Sequence, residues 1–233
     1  MAADAFREGR FAEAATQGRA EATAASLILA GRSTLTLAGY QATDKARAKE
    51  AIAAAERDFD AAIAKAPNNL EARTQKAIAV GYRAKLDRSP GEGKQARQLM
   101  EGVLARDTNY PLANAALGGW HGGAVATLGS FLASTLLGAS RKDMERYFTV
   151  AMAREPKVNI HPVTYAVTLL DIDKGNAPRV RQLLQGAVAL PVRDAFDTQN
   201  RKAAQQILAL LDKGDAKAAQ ALARRLQPFG TVA

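Results

Sequence analysis

The chain has 233 residues, 48% hydrophobic and 24% charged, a balance that supports a buried core and excludes a disordered polypeptide. It contains no cysteine, which excludes disulfides, thiolate nucleophiles and Cys-based zinc sites. The net charge of +9 is absent from residues 1–70, where nine basic residues meet nine acidic ones, and is densest from Arg73 to Arg97, with seven against two.

Alanine, leucine, arginine, glutamine and lysine are common, all good helix formers, and β-branched runs are nearly absent. Every predicted element is therefore a helix. The chain opens on Met1-Ala-Ala-Asp-Ala-Phe-Arg, which lacks the apolar stretch of a signal peptide. Two compartments stay open: periplasmic if a signal peptide has been removed, otherwise cytoplasmic. A first helix is predicted over 4–15, although Gly9-Arg-Phe11-Ala-Glu-Ala14 also reads as a turn leading into the second helix of a hairpin. Helices follow over 20–38 and 44–66, the latter capped by Asp44. Within it stand Ala55, Phe59 and Ala62, then Pro67, which ends the helix because it has no N–H and clashes with the preceding turn. Asn68-Asn69 makes the turn into a helix over 69–86. Ser89-Pro-Gly-Glu-Gly93 reads as a plain loop before a helix over 92–106.

The next predicted helix, 111–135, lies in a stretch with no Lys, Arg, Asp or Glu from 108 to 140. A membrane-spanning helix needs ~20 mainly apolar residues, and this stretch is interrupted by Pro111, Asn114, His121 and six glycines, so no transmembrane segment is expected. Ser140, with Asp143 at the capping-box offset, opens a helix over 141–154. The remaining helices are expected over 161–174, 177–189, 195–212 and 215–226, the last after Gly214-Asp215. No linker or domain boundary is visible, so residues 1–233 are read as a single domain.

Small, large and small residues recur at the spacing of Ala55, Phe59 and Ala62. Ala96, Met100 and Val103 repeat it before Thr108, and Phe148 and Ala151 repeat it before Pro156. In this the chain resembles the tetratricopeptide repeat (TPR) family, whose second helices carry that pattern followed by proline. Spacings of 41 (Pro67 to Thr108) and 48 (Thr108 to Pro156) exceed the regular period of about 34, so the repeats are degenerate. The resemblance implies an all-α fold, an α-solenoid of about five TPR-like helical hairpins. Leu117-Gly-Gly-Trp120-His121 and Gly138-Ala-Ser-Arg141 further resemble the T components of bacterial TRAP transporters and related bacterial TPR-like proteins.

Catalytic constellations are lacking. The two histidines, His121 and His161, lie 40 residues apart with no metal-ligand spacing, and no nucleophile elbow or phosphate loop is present. The chain is therefore expected to be a non-catalytic binding protein without metal or cofactor. One reading is a scaffold that grips a protein or peptide, acidic in character, in a groove lined by Arg73, Lys76, Tyr82 and Arg83. The other, which the T-component resemblance implies, is a periplasmic carrier or transporter accessory. It would hold an apolar small molecule or lipid at the Gly-rich segment 111–138, lined by Trp120, His121, Val125, Leu128, Phe131 and Leu132. Nucleic acid is not expected, because Tyr82 is the one aromatic among the basic residues of 73–97.

Overall fold

Short polar side chains hold the first free amides of most helices. Thr23 accepts from the Ser26 amide at 3.1 Å, Asp44 from Arg47 at 2.9 Å, and Asn69 from Ala72 at 2.9 Å. Ser140, Asp194 and Asp215 do the same at 3.1, 2.8 and 2.8 Å. Each such cap contributes about 1 kcal/mol. A computed structural model describes residues 1–232, whose only regular elements are helices, with no strand among them.

The chain forms two compact units, Met1–Thr108 with Pro228–Ala233 and Asn109–Gln227. The first holds α1 (Ala2–Arg7), α2 (Phe11–Glu21), α3 (Ala24–Tyr40), α4 (Lys45–Lys65), α5 (Leu70–Asp87) and α6 (Pro90–Leu104). The second holds α7 (Pro111–Leu132), a π-helical segment (Ala133–Leu137), α8 (Arg141–Arg154) and α9 (Ile160–Ile172). A short 3-10 turn (Lys174–Asn176) leads to α10 (Ala177–Ala189), α11 (Ala195–Asp212) and α12 (Ala216–Leu226).

In the first unit α3 is the central element, packed on α1, α2, α4 and α5. It carries one charge, Arg32, and its buried hydroxyls are satisfied within the helix. Ser33, Thr34 and Thr36 donate to the carbonyls of Leu29, Ala30 and Arg32 at 2.7–2.9 Å. Phe59 of α4 lies against Gly31, where an added Cβ would sit 2.4 Å from the ring, so only glycine permits this approach. Arg19 of α2 grips the buried carboxylate of Asp58 through two nitrogens, at 2.9 and 2.7 Å, and donates to Thr34 at 2.9 Å. The chain end returns to this unit. The Phe229 amide donates to the Gly39 carbonyl at 2.6 Å, and the Phe229 ring meets Tyr82 edge-on at 5.1 Å.

In the second unit α9 takes the central place, packed on α7, α8, α10, α11 and α12. Its Val163–Leu170 run, the most strand-like of the chain, is helical and mostly buried. Phe148, Met144, Leu170, Leu184 and Ile207 are fully buried around it. The repeat positions read from the sequence are core positions: Ala55, Phe59, Ala62, Ala96, Met100, Val103, Phe148 and Ala151 are all buried.

Three predicted elements are corrected. The expected helix 4–15 is two, because Gly9 takes φ +81° and turns the chain between α1 and α2. The stretch 89–93 is the start of α6, not a loop: Pro90 occupies the first turn, where no N–H is needed, and the Ser89 hydroxyl faces the Glu92 amide at 3.4 Å. The helix expected to run to 135 breaks at Gly129, whose φ of +76° and ψ of 160° are not helical, and continues as a π-helix.

Candidate binding surface

The Gly-rich helix α7 divides its glycines between two faces. Gly118 and Gly122, one turn apart, face inward. A Cβ on Gly118 would lie 2.8 Å from the Phe148 ring, and one on Gly122 would lie 2.1 Å from Thr168 Cγ2 and 2.7 Å from Met144 Sδ. Close approach of α8 and α9 therefore requires glycine at both positions. Gly119 and Gly123 meet nothing within 4 Å.

His121 is buried at 1% exposure and ties α7 to the start of α8. Its Nδ1 accepts from the Ser140 amide at 3.1 Å, its ring stacks on Tyr147 at 5.5 Å, and Trp120 meets it edge-on at 5.0 Å. Ser140 also donates its hydroxyl to Asp143 at 2.7 Å. That bond, with help from Arg146, holds the Asp143 carboxyl below its ordinary range. Val125 is buried with Ala133 and Ala139, and Trp120, Leu128 and Leu137 pack partly against them. His121 and Val125 thus belong to the packed interior of the α7–α8 hairpin, with Trp120 and Leu128 half-buried against it.

The other two candidates of this segment lie outside. Beyond Gly129 the helical phase changes, and Phe131 stands 80% exposed with Leu132 at 47%. Leu136, which the sequence reading did not single out, joins them at 49%. The backbone of this end is closed by Gly138, a left-handed residue whose amide donates to the Ser134 carbonyl at 2.8 Å while Ala139 donates to Ala133 at 3.0 Å. The exposed Thr127 and Thr135 hydroxyls donate to the carbonyls of Gly123 and Phe131 at 2.8 and 3.0 Å. The result is an apolar end in which these two amides and two threonine hydroxyls are satisfied from within, with Ser130 and Ser134 exposed beside them. Two exposed cations, Arg141 and Lys142, follow it at the first turn of α8, and neither is in an ion pair among the described residues.

The four groove candidates of α5 belong to the first unit. Arg73 Nε donates to the Pro67 carbonyl at 2.8 Å, and Lys76 pairs with Asp60. Arg83 bridges Glu56 of α4 and Glu92 of α6, the latter at 2.8 Å. These bonds staple α4, α5 and α6 together. Tyr82 is hydrogen-bonded to Tyr40 and packed on Phe229, and burial pushes both hydroxyls up, that of Tyr40 to about 12. Lys76 and Arg83 thus share one face of α5 but are held by carboxylates of this same chain.

A second polar cluster lies in the core of the second unit. His161 is buried, with Nε2 2.7 Å from Glu155 Oε2, and burial holds its pKa below the ordinary value of 6.5 despite the carboxylate. Arg193 grips the buried Asp197 at 2.6 and 2.9 Å, and Asn159 donates to the Asp197 carbonyl at 2.8 Å. These bonds join the helix starts of α9 and α11.

No protein-family model matches the chain, and no curated protein matches it.

Proposed function

We propose that the protein is a non-catalytic binding protein built of degenerate TPR-like hairpins, and that the outer end of the α7–α8 hairpin is its binding surface. The observation that carries this reading is the exposure of Phe131, Leu132 and Leu136 together at the end of a charge-free stretch. Large apolar side chains grouped at one exposed place mark interaction sites in folded proteins. The face of α5 is the weaker candidate. An acidic partner there would compete with Asp60, Glu56 and Glu92 for cations they already hold.

Binding of bis-ANS, a dye that reports accessible apolar surface, tests the reading. The native protein should bind it saturably. The triple variant Phe131→Ser, Leu132→Ser, Leu136→Ser should lose most of that binding while keeping the helical circular dichroism. Equal dye binding by the two proteins would refute the assignment of this surface.

A further inference from the structure

We infer that the partner of this surface is an anionic lipid bilayer, into whose interface the end of the α7–α8 hairpin inserts; this rests on the proposed binding surface. The charge pattern selects the partner. No Lys, Arg, Asp or Glu lies from 108 to 140, so none of these has to enter the apolar layer with Phe131, Leu132 and Leu136. The charges that follow immediately are Arg141 and Lys142, exposed and outside any ion pair among the described residues. Asp143, the nearest carboxylate, is engaged by Ser140 and Arg146, while Glu145 is exposed two residues further along α8. Arg146 is itself committed, to Asp143 and to the Tyr147 ring at 4.1 Å. The second unit as a whole carries fifteen Lys and Arg against nine Asp and Glu, a net +6.

Apolar side chains below a phosphate layer, with cations level with the phosphates, are the arrangement of an interfacial anchor. The polar groups of this end fit the same place. The Thr127 and Thr135 hydroxyls and the Gly138 and Ala139 amides donate within the chain, so they need no water, and the exposed Ser130 and Ser134 hydroxyls are the small polar groups left to the headgroup layer. The insertion is shallow and is not a span. No single helix is long and apolar enough to cross a membrane. The inner part of α7 is committed to the protein core through Asn114, Gly118, His121 and Gly122.

Cosedimentation with vesicles tests the inference, using phosphatidylcholine alone and phosphatidylcholine with phosphatidylglycerol. The native protein should bind the anionic vesicles and bind the neutral ones far less. The triple serine variant should lose more than about tenfold in affinity through its lost apolar area. Arg141→Gln with Lys142→Gln should lose roughly tenfold on anionic vesicles only, while its bis-ANS binding stays native. Phe131→Ser alone should show a smaller loss in the same direction, which guards against a folding effect of the triple change. Failure of the native protein to bind anionic vesicles, or equal binding by the triple variant, would overturn the inference. If dye binding still depends on the three residues, the surface stands and its partner is an apolar protein face instead. If dye binding is also indifferent to them, the proposed function falls with it.

Discussion

Adjacent glycines of α7 should respond differently to one added methyl group. At Gly122 the new Cβ would lie 2.1 Å from Thr168 Cγ2 and 2.7 Å from Met144 Sδ, both below any real Cβ contact. Met144 can shift its flexible side chain. Thr168 is stiff at χ1 and its hydroxyl donates to the Thr164 carbonyl at 2.8 Å, so it moves only by losing that bond. The overpacking cost is about 1–3 kcal/mol. Alanine returns about 1 kcal/mol of helix propensity, so Gly122→Ala should be neutral to destabilising by about 2 kcal/mol. At Gly123 no atom lies within 4 Å, and Gly123→Ala should gain about 1 kcal/mol. The difference between the two variants is thus the overpacking cost itself. Urea unfolding followed by fluorescence of Trp120, the single tryptophan, reads the unit concerned. Equal stabilisation by both substitutions would refute the claim that Gly122 is there for helix contact.

Other outcomes follow from the same contacts. His161 has a folded-state pKa below its unfolded value of 6.5, so the unfolded chain takes up a proton first as pH falls, and stability should drop as pH falls through that value. His161→Gln should flatten the melting temperature between about pH 7 and 5; an unchanged slope would contradict the assignment. Val125→Trp should overpack the contact with Ala133 and Ala139 and lower the melting temperature, whereas a tolerated tryptophan would indicate a cavity there. Asp58→Asn should cost about 1–3 kcal/mol by weakening the bidentate Arg19 contact, with the half-exposed Arg19 rehydrating in part; denaturant unfolding measures it. Gly129→Ala should cost about 1–3 kcal/mol, because φ +76° with ψ 160° is open only to glycine.

Much of the fold was legible because it depends on local chemistry. Ser140, Asp44 and Asp215 could be read as caps from their position before apolar-periodic runs, and they serve as caps. The small–large–small spacing of Ala55, Phe59 and Ala62 marked buried positions for the same reason: it places three residues on one helix face. The break at Gly129 was not legible. In an unbroken helix, Val125, Leu128 and Leu132 fall on one face, which groups them as lining one site. The conformation of one glycine, chosen by tertiary context, separates buried Val125 from exposed Leu132. The basic density of 73–97 does not show which carboxylates its cations meet. Asp60 lies 16 residues from Lys76, and Glu56 lies 27 from Arg83, so two of the three carboxylates that hold these cations fall outside that window, and only Glu92 falls within it. Arg141 and Lys142 did leave a signal: they close the longest charge-free stretch in the chain.

The most direct test of the central claim uses the absence of native cysteine. Single cysteines at Phe131 and at Thr149, an exposed position on α8, can each carry an environment-sensitive NBD fluorophore. On adding anionic vesicles, the label at 131 should shift to the blue and gain intensity, while the label at 149 keeps its aqueous spectrum. An unchanged spectrum at 131, or an equal shift at both positions, would contradict the account.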